Sequence, residues 1–193
     1  MKNILLVLIC IVSANEVYSQ RLSELNDDQK RKVFLTATEL KINDLENHIK
    51  TLTNKSIDRD IRAATVDSAV KYFIDETKLF EVSSKNSSNV RSFPVRKYLW
   101  NLMVLNYSRI EIEWVESEWI TNFRQAPDGK YYGVVRIYQT FSGYGLDRDL
   151  PIYTDVTSKD IEVELNVVKL DTGDDFKEIP MIRLGDVRVV ETR

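Results

Sequence analysis

The sequence is poor in the residues that most often announce a function. Cys10 is the only cysteine of the 193 residues, and it sits inside an apolar run. Removing that run as part of a leader leaves no thiol, which excludes a disulfide framework, a thiolate nucleophile and a cysteine-based metal site. Such a domain must be held by an ordinary hydrophobic core, and the chain is long enough for one. His48 is the only histidine and stands among Glu46, Asn47 and Lys50. That is the setting of a solvated side chain, and no partner for His–Asp proton transfer accompanies it. There is no HExxH, CxxC or paired-histidine spacing, and no metal or cofactor is expected. With six glycines and four prolines in all, phosphate-cradling loops are absent too. FSGYG, residues 141–145, lacks a following Lys-Ser/Thr, and GxSxG does not occur. The acidic loops DRD (147–149) and DTGDD (171–175) lack the ligand spacing of a calcium-binding helix-loop-helix. Clustered positive charge is missing as well: the net charge is −3, and lysine and arginine are scattered among the acids. Nucleic-acid binding needs a concentrated positive footprint and is disfavoured.

What is present begins with MKNILLVLICIVSANEVYSQ. Lys2 supplies a positive start. Ile4 to Val12 is an apolar run shorter than a membrane span, and small residues follow at cleavage spacing. Residues 1–19 read as a signal peptide, which predicts export to the periplasm or cell surface. No later segment is hydrophobic enough to cross a membrane.

Two compositional halves follow. From Asn26 to about Phe80 glycine and proline are nearly absent. Val33, Ala37, Leu40, Leu45, Ile49 and Leu52 recur at the spacing of an amphipathic helix, with Asn26 or Asp27 as its N-cap. TNKS, residues 53–56, breaks it. A second helix is expected from Ser56 to about Asp75, with Ile57, Ile61, Ala64 and Ser68 on one stripe. LFEVSS (79–84) reads as a strand, SKNSSN after it as a loop, and Pro94 as the start of a helix reaching about Leu105. Long strands are expected over residues 108–122, 130–144, 158–171 and 179–191, the first two joined by the turn APDGK. In RIEIEWVESEWITNF (109–123) the apolar parity slips at Trp114-Val115. In RLGDVRV it slips at Gly185. A β-bulge at each slip keeps one face apolar, so that the four glutamates of residues 111–118 line the wet side and both tryptophans face the core.

Helix, helix, short strand, helix and four long antiparallel strands is the order of the NTF2-like (cone-shaped α+β) superfamily. PVRKYLWNLMVLNYSRIEIEW, DGKYYGVVRIYQTFSGY, DVTSKDIEVEL and IRLGDVRVVET resemble its secreted bacterial members. The resemblance implies an α+β fold with N-terminal helices packed on a strongly curved antiparallel sheet. Residues 20–55 would form a helical extension and residues 56–193 the NTF2-like domain. Members with enzymatic activity place a polar dyad inside the cone, so the resemblance leaves the function open.

Aromatic residues then carry the functional reading. Tyr98 and Trp100 on the short helix, and Trp114, Gln139 and Phe141 on the strands, are the residues expected to line an apolar pocket, with Gln139 as its inward polar group. The favoured function is a non-catalytic binding or accessory module for a small apolar ligand or a partner protein. The outer sheet face around Tyr132, Val134 and Tyr138 could support a homodimer. The alternative is a lyase or isomerase using a buried carboxylate–tyrosine pair, with Tyr98 or Tyr138 as the tyrosine. A binding module predicts carboxylates in solvent, and an enzyme predicts an Asp or Glu deep in the cone, hydrogen-bonded to a tyrosine.

Overall fold

The computed structural model of the chain describes residues 22–171, 173 and 176–193, with the side chains of all but Ser88 and Glu116. The leader expected over residues 1–19 lies outside them, as do Thr172, Asp174 and Asp175 of the acidic DTGDD stretch. The first helix, α1 (Asp27–Thr53), begins at a reciprocal capping box. Asn26 Oδ1 accepts from the Gln29 amide (2.9 Å), and the Gln29 side chain accepts from the Asn26 amide (3.0 Å). Its buried stripe is Val33, Phe34, Thr38, Ile42, Leu45, Ile49 and Leu52. Leu40, expected on this stripe, is 54% exposed, because it stands two positions, or about 200°, from both Thr38 and Ile42.

The second helix, α2 (Arg59–Val70), is shorter than expected and is rotated from the expected stripe. Ile61 and Ala64 face solvent, and Val66 and Ala69 are buried instead. Arg62 sets that rotation. Its guanidinium donates to the carbonyls of Ile57 (3.2 Å), Leu52 (3.4 Å) and Met103 (3.2 Å), the last two of which are helix-end acceptors.

The remaining elements are β1 (Leu79–Ser84), β2 (Ser87–Pro94), α3 (Val95–Met103), β3 (Arg109–Gln125), β4 (Tyr131–Tyr144), β5 (Tyr153–Asp171) and β6 (Phe176–Thr192). The sheet order is β2-β1-β6-β5-β4-β3, open at both edges. Half of the polar SKNSSN stretch (84–89), expected as a loop, is the start of β2, and Ser84 ends β1. An edge strand with polar faces needs no apolar alternation, so its period is invisible in the sequence. The sheet is also mixed rather than purely antiparallel. β1 runs parallel to β6 at Phe80–Val187, and an isolated parallel bridge joins Phe73 to Leu184.

Both parity slips are bulges. Trp114 pairs with Gln139 and Glu116 with Tyr138, leaving Val115 as the extra residue. Trp114 and Trp119 consequently both pack on the core, while Glu111, Glu113 and Glu118 are exposed. Across β5 and β6, Ile161 pairs with Val187 and Val163 with Leu184, so Gly185 lies in the second bulge. A Cβ there would sit 2.8 Å from Glu162 Cβ, a contact only glycine avoids. β3 carries two further shifts, after Trp119 and after Thr121. Repeated bulges increase local twist and bend the strands. The APDGK turn closes with Gly129 at φ 82°.

One core joins all of these elements. Phe34, Leu45 and Leu52 of α1 share it with Val66, Leu99, Ile137, Ile161, Leu165, Leu184 and Val187. The helix expected as an extension is therefore part of the same packing unit. Among the described residues no helix is long and apolar enough to cross a membrane.

Candidate functional site: a half-polar cavity between β5 and α3

β5 begins at Tyr153, five residues before the start expected from the sequence. The earlier start matters because alternate residues of a strand share a face. Asp155, Thr157 and Lys159 fall in phase with Ile161, Val163 and Leu165, and all six are buried. The inner row of β5 thus changes from apolar to polar toward its N-terminal end. That polar end opens on a cavity of about 670 Å³. β4 and β5 line it with Gln139, Phe141, Tyr153, Asp155, Thr157 and Lys159. Tyr98 and Leu102 of α3, the 104–107 connection, and Val82, Ser84, Arg91 and Phe93 of the β1–β2 hairpin enclose it. Two other hollows are smaller, at about 470 and 480 Å³, and both lysine and glutamate side chains line each.

Lys159 is 3% exposed. Its Nζ donates to the Glu81 carbonyl (3.1 Å) and lies 4.6 Å from the centroid of Phe80. Phe80 and Tyr98 stack face to face at 3.6 Å, so the amine sits against an aromatic pair. Burial in these surroundings pushes the Lys159 ammonium down to about 7, against the opposing pull of Asp155 and Glu81. The same burial raises the Tyr98 phenol.

Asp155 is 6% exposed. The Tyr153 hydroxyl donates to its Oδ2. That leaves the Ser84 hydroxyl to donate to Tyr153 Oη across 2.7 Å. Burial raises the Tyr153 phenol, and its bond to Asp155 adds to the shift. A second chain of hydroxyls runs from Ser83 through Thr192 to Thr157. Chemically, the cavity offers a carboxylate, a phenol, an amine and a carboxamide above a floor shared with aromatic rings.

The structure gathers three of the five residues expected at a pocket: Tyr98, Gln139 and Phe141 line the cavity. Trp100 does not. Helical phase turns Val95, Tyr98, Leu99 and Leu102 inward, and Trp100 on the other side of α3 is exposed. Trp114 does not line the cavity either, but its indole N–H points at Gln139 Oε1 (3.4 Å), and its backbone amide donates to Glu46 (3.0 Å). Trp114 therefore orients Gln139 from behind. Asp155 and Tyr153 were missed because the sequence reading began this strand at Ser158, and Lys159, inside that span, was not singled out. Extending the parity of Ile161 eight residues back, to Tyr153, would have found them.

Neither tyrosine named for a carboxylate pair fills that role. Tyr98 stacks on Phe80, and Tyr138 on the outer face donates to the exposed Glu118 (2.8 Å). The outer face carries polar pairs, including a bidentate Arg136–Asp160 bridge at 2.7 and 2.9 Å. His48, expected in solvent, is half-buried and stacks on Tyr72, with Nε2 3.1 Å from its hydroxyl. Burial lowers the imidazole pKa, Asp44 opposing and Lys41 assisting. Among the described residues, no three His, Cys, Asp or Glu side chains gather as a metal site. Comparison with protein-family models, curated proteins and solved structures finds no match to this chain.

Proposed function

We propose that the chain is an exported NTF2-like domain whose cone cavity binds a small molecule with an apolar ring and a polar head. The element order and the bulged strands of the sheet support the fold assignment, and the leader-like N-terminus supports export. One observation carries the functional reading: the inner row of β5 buries Asp155, Thr157 and Lys159 where its continuation buries Ile161, Val163 and Leu165. Burying an amine that is not held by a carboxylate costs several kcal/mol. Leucine or methionine at position 159 would serve stability better, and departures of this kind mark functional positions. The ligand expected from the sequence to be apolar thus acquires a polar head, set between Lys159, Gln139 and the Asp155–Tyr153 pair. Calorimetric titration with a panel of aryl carboxylates, alcohols and ketones tests the reading. Saturable binding is expected, weakened at least tenfold, or about 1.4 kcal/mol, by Lys159→Met or Gln139→Leu in folded protein. Binding that ignores both substitutions would overturn it.

A second reading, a lyase or isomerase, is favoured by the buried pair itself. Asp155 with the Tyr153 hydroxyl on its Oδ2 is the deep carboxylate–tyrosine arrangement that such an activity needs. In that reading the free Asp155 oxygen accepts a proton from a carbon acid, and Lys159 stabilises the resulting enolate. Deuterium wash-in from D₂O into a ketone panel, lost in Asp155→Asn, would establish it. Binding without exchange would leave the chain a binding module.

A further inference from the structure

We propose that Lys159 is the reactive group of the cavity and captures an aldehyde or ketone ligand as an imine. The inference rests on the reading that this cavity takes a small molecule, and it names that molecule's chemical class. Three geometric facts carry it. Of the described lysines, only Lys159 is buried, and it lines the cavity. The hydrogen bond that holds its Nζ goes to a carbonyl, Glu81 O, which occupies one N–H and leaves the lone pair of a neutral amine free. The Phe80 and Tyr98 rings lie beside Nζ, and this apolar burial outweighs the pull of Asp155 and Glu81, the setting in which a lysine works as a nucleophile. The depressed ammonium pKa agrees with this, since about half of the amine is then neutral at pH 7.

The step balances without a further reactant. The neutral amine adds to the carbonyl carbon, its lone pair forming the C–N bond while the C=O π pair moves to oxygen. One N–H proton passes to that oxygen to give the carbinolamine. The second N–H proton leaves with the hydroxyl as water, and the nitrogen lone pair closes the C=N bond. A proton relay stands on the same face of β5: Tyr153 donates to Asp155 and receives from Ser84. The groups facing Lys159 and its cavity are Asp155 and Tyr153 of β5, Glu81 of β1, Arg91 of β2 and Tyr98 of α3. Phe141 and Tyr98 offer faces for an apolar ring attached to the carbonyl.

The test treats the protein with benzaldehyde and cyanoborohydride at pH 7 and locates benzyl groups by peptide mass mapping. Lys159 is expected to be labelled at least tenfold faster than any other lysine. Its rate should level off above about pH 7, whereas surface lysines accelerate toward pH 10. The preference should vanish in urea, and Lys159→Arg should leave only the surface background. Benzyl alcohol, which cannot form an imine, serves as the separate probe of binding through the Leu102 and Ile112 methyl signals. If those signals move but Lys159 is not preferentially labelled, the imine inference is overturned and the cavity reading stands. If neither occurs, both fall.

Discussion

At the scale of single residues, Lys159 is a buried amine, and the cost of charging it has a pH signature. Its folded pKa is lowered to about 7, whereas an unfolded lysine titrates near 10.4. Between those values the unfolded chain binds more protons, so stability rises with pH across the window. Tyr98, whose pKa burial raises, contributes the opposite trend only above about pH 10, where unfolded tyrosine ionises. Urea unfolding from pH 6 to pH 9 should therefore show rising stability above pH 7. Lys159→Met should flatten the rise and stabilise the protein at pH 7 by about 1–3 kcal/mol. A flat wild-type profile would contradict the burial of a chargeable amine. Part of this site was legible in the sequence. Gln139 shares parity with Val135 and Ile137, and Tyr98 falls in helical phase with Leu102. Asp155 and Lys159 were not, because a charged residue at an inward position looks like a strand end or a wet face until the pairing is known.

At the scale of elements, the strongest sequence signals were those with a local cause. Asn26 caps α1 through bonds three residues apart, and Asn26→Ala should cost about 1 kcal/mol, measured by thermal or urea unfolding. The bulges at Val115 and Gly185 were legible because each reverses the apolar parity of a long strand. Gly185→Val should cost about 1–3 kcal/mol, since its Cβ would press on Glu162 across the bulge. A cost within error of zero would mean that β6 can shift away. What escaped the sequence reading was set by neighbours distant in the chain. β2 shows no alternation because only β1 pairs with it. The rotation of α2 is fixed by Arg62 reaching Met103, 41 residues away.

At the scale of the whole molecule, α1 is bound into the sheet's own core rather than appended to it. Leu45 is fully buried within the cluster that holds Ile137, Ile161 and Leu184. Leu45→Ala should cost about 2–5 kcal/mol and lower one cooperative transition seen alike by tryptophan fluorescence and circular dichroism. A helix that melted separately would separate the two probes. The α+β class was readable because helical periods dominate before Phe80 and alternating periods after it, with one short helix, α3, between the strands. The parallel contact of β1 with β6 was not, because nothing local encodes it. The central claim is that this sheet and α3 enclose a ligand site with Lys159 as its polar anchor. It is tested most directly by following the methyl signals of Leu102 and Ile112, which both line the cavity, during titration with aryl alcohols, acids and ketones. The account predicts saturable shifts confined to those methyls and their cavity neighbours, and weakened in Lys159→Met. Shifts spread over the surface, with Leu102 and Ile112 unmoved by every compound, would contradict it.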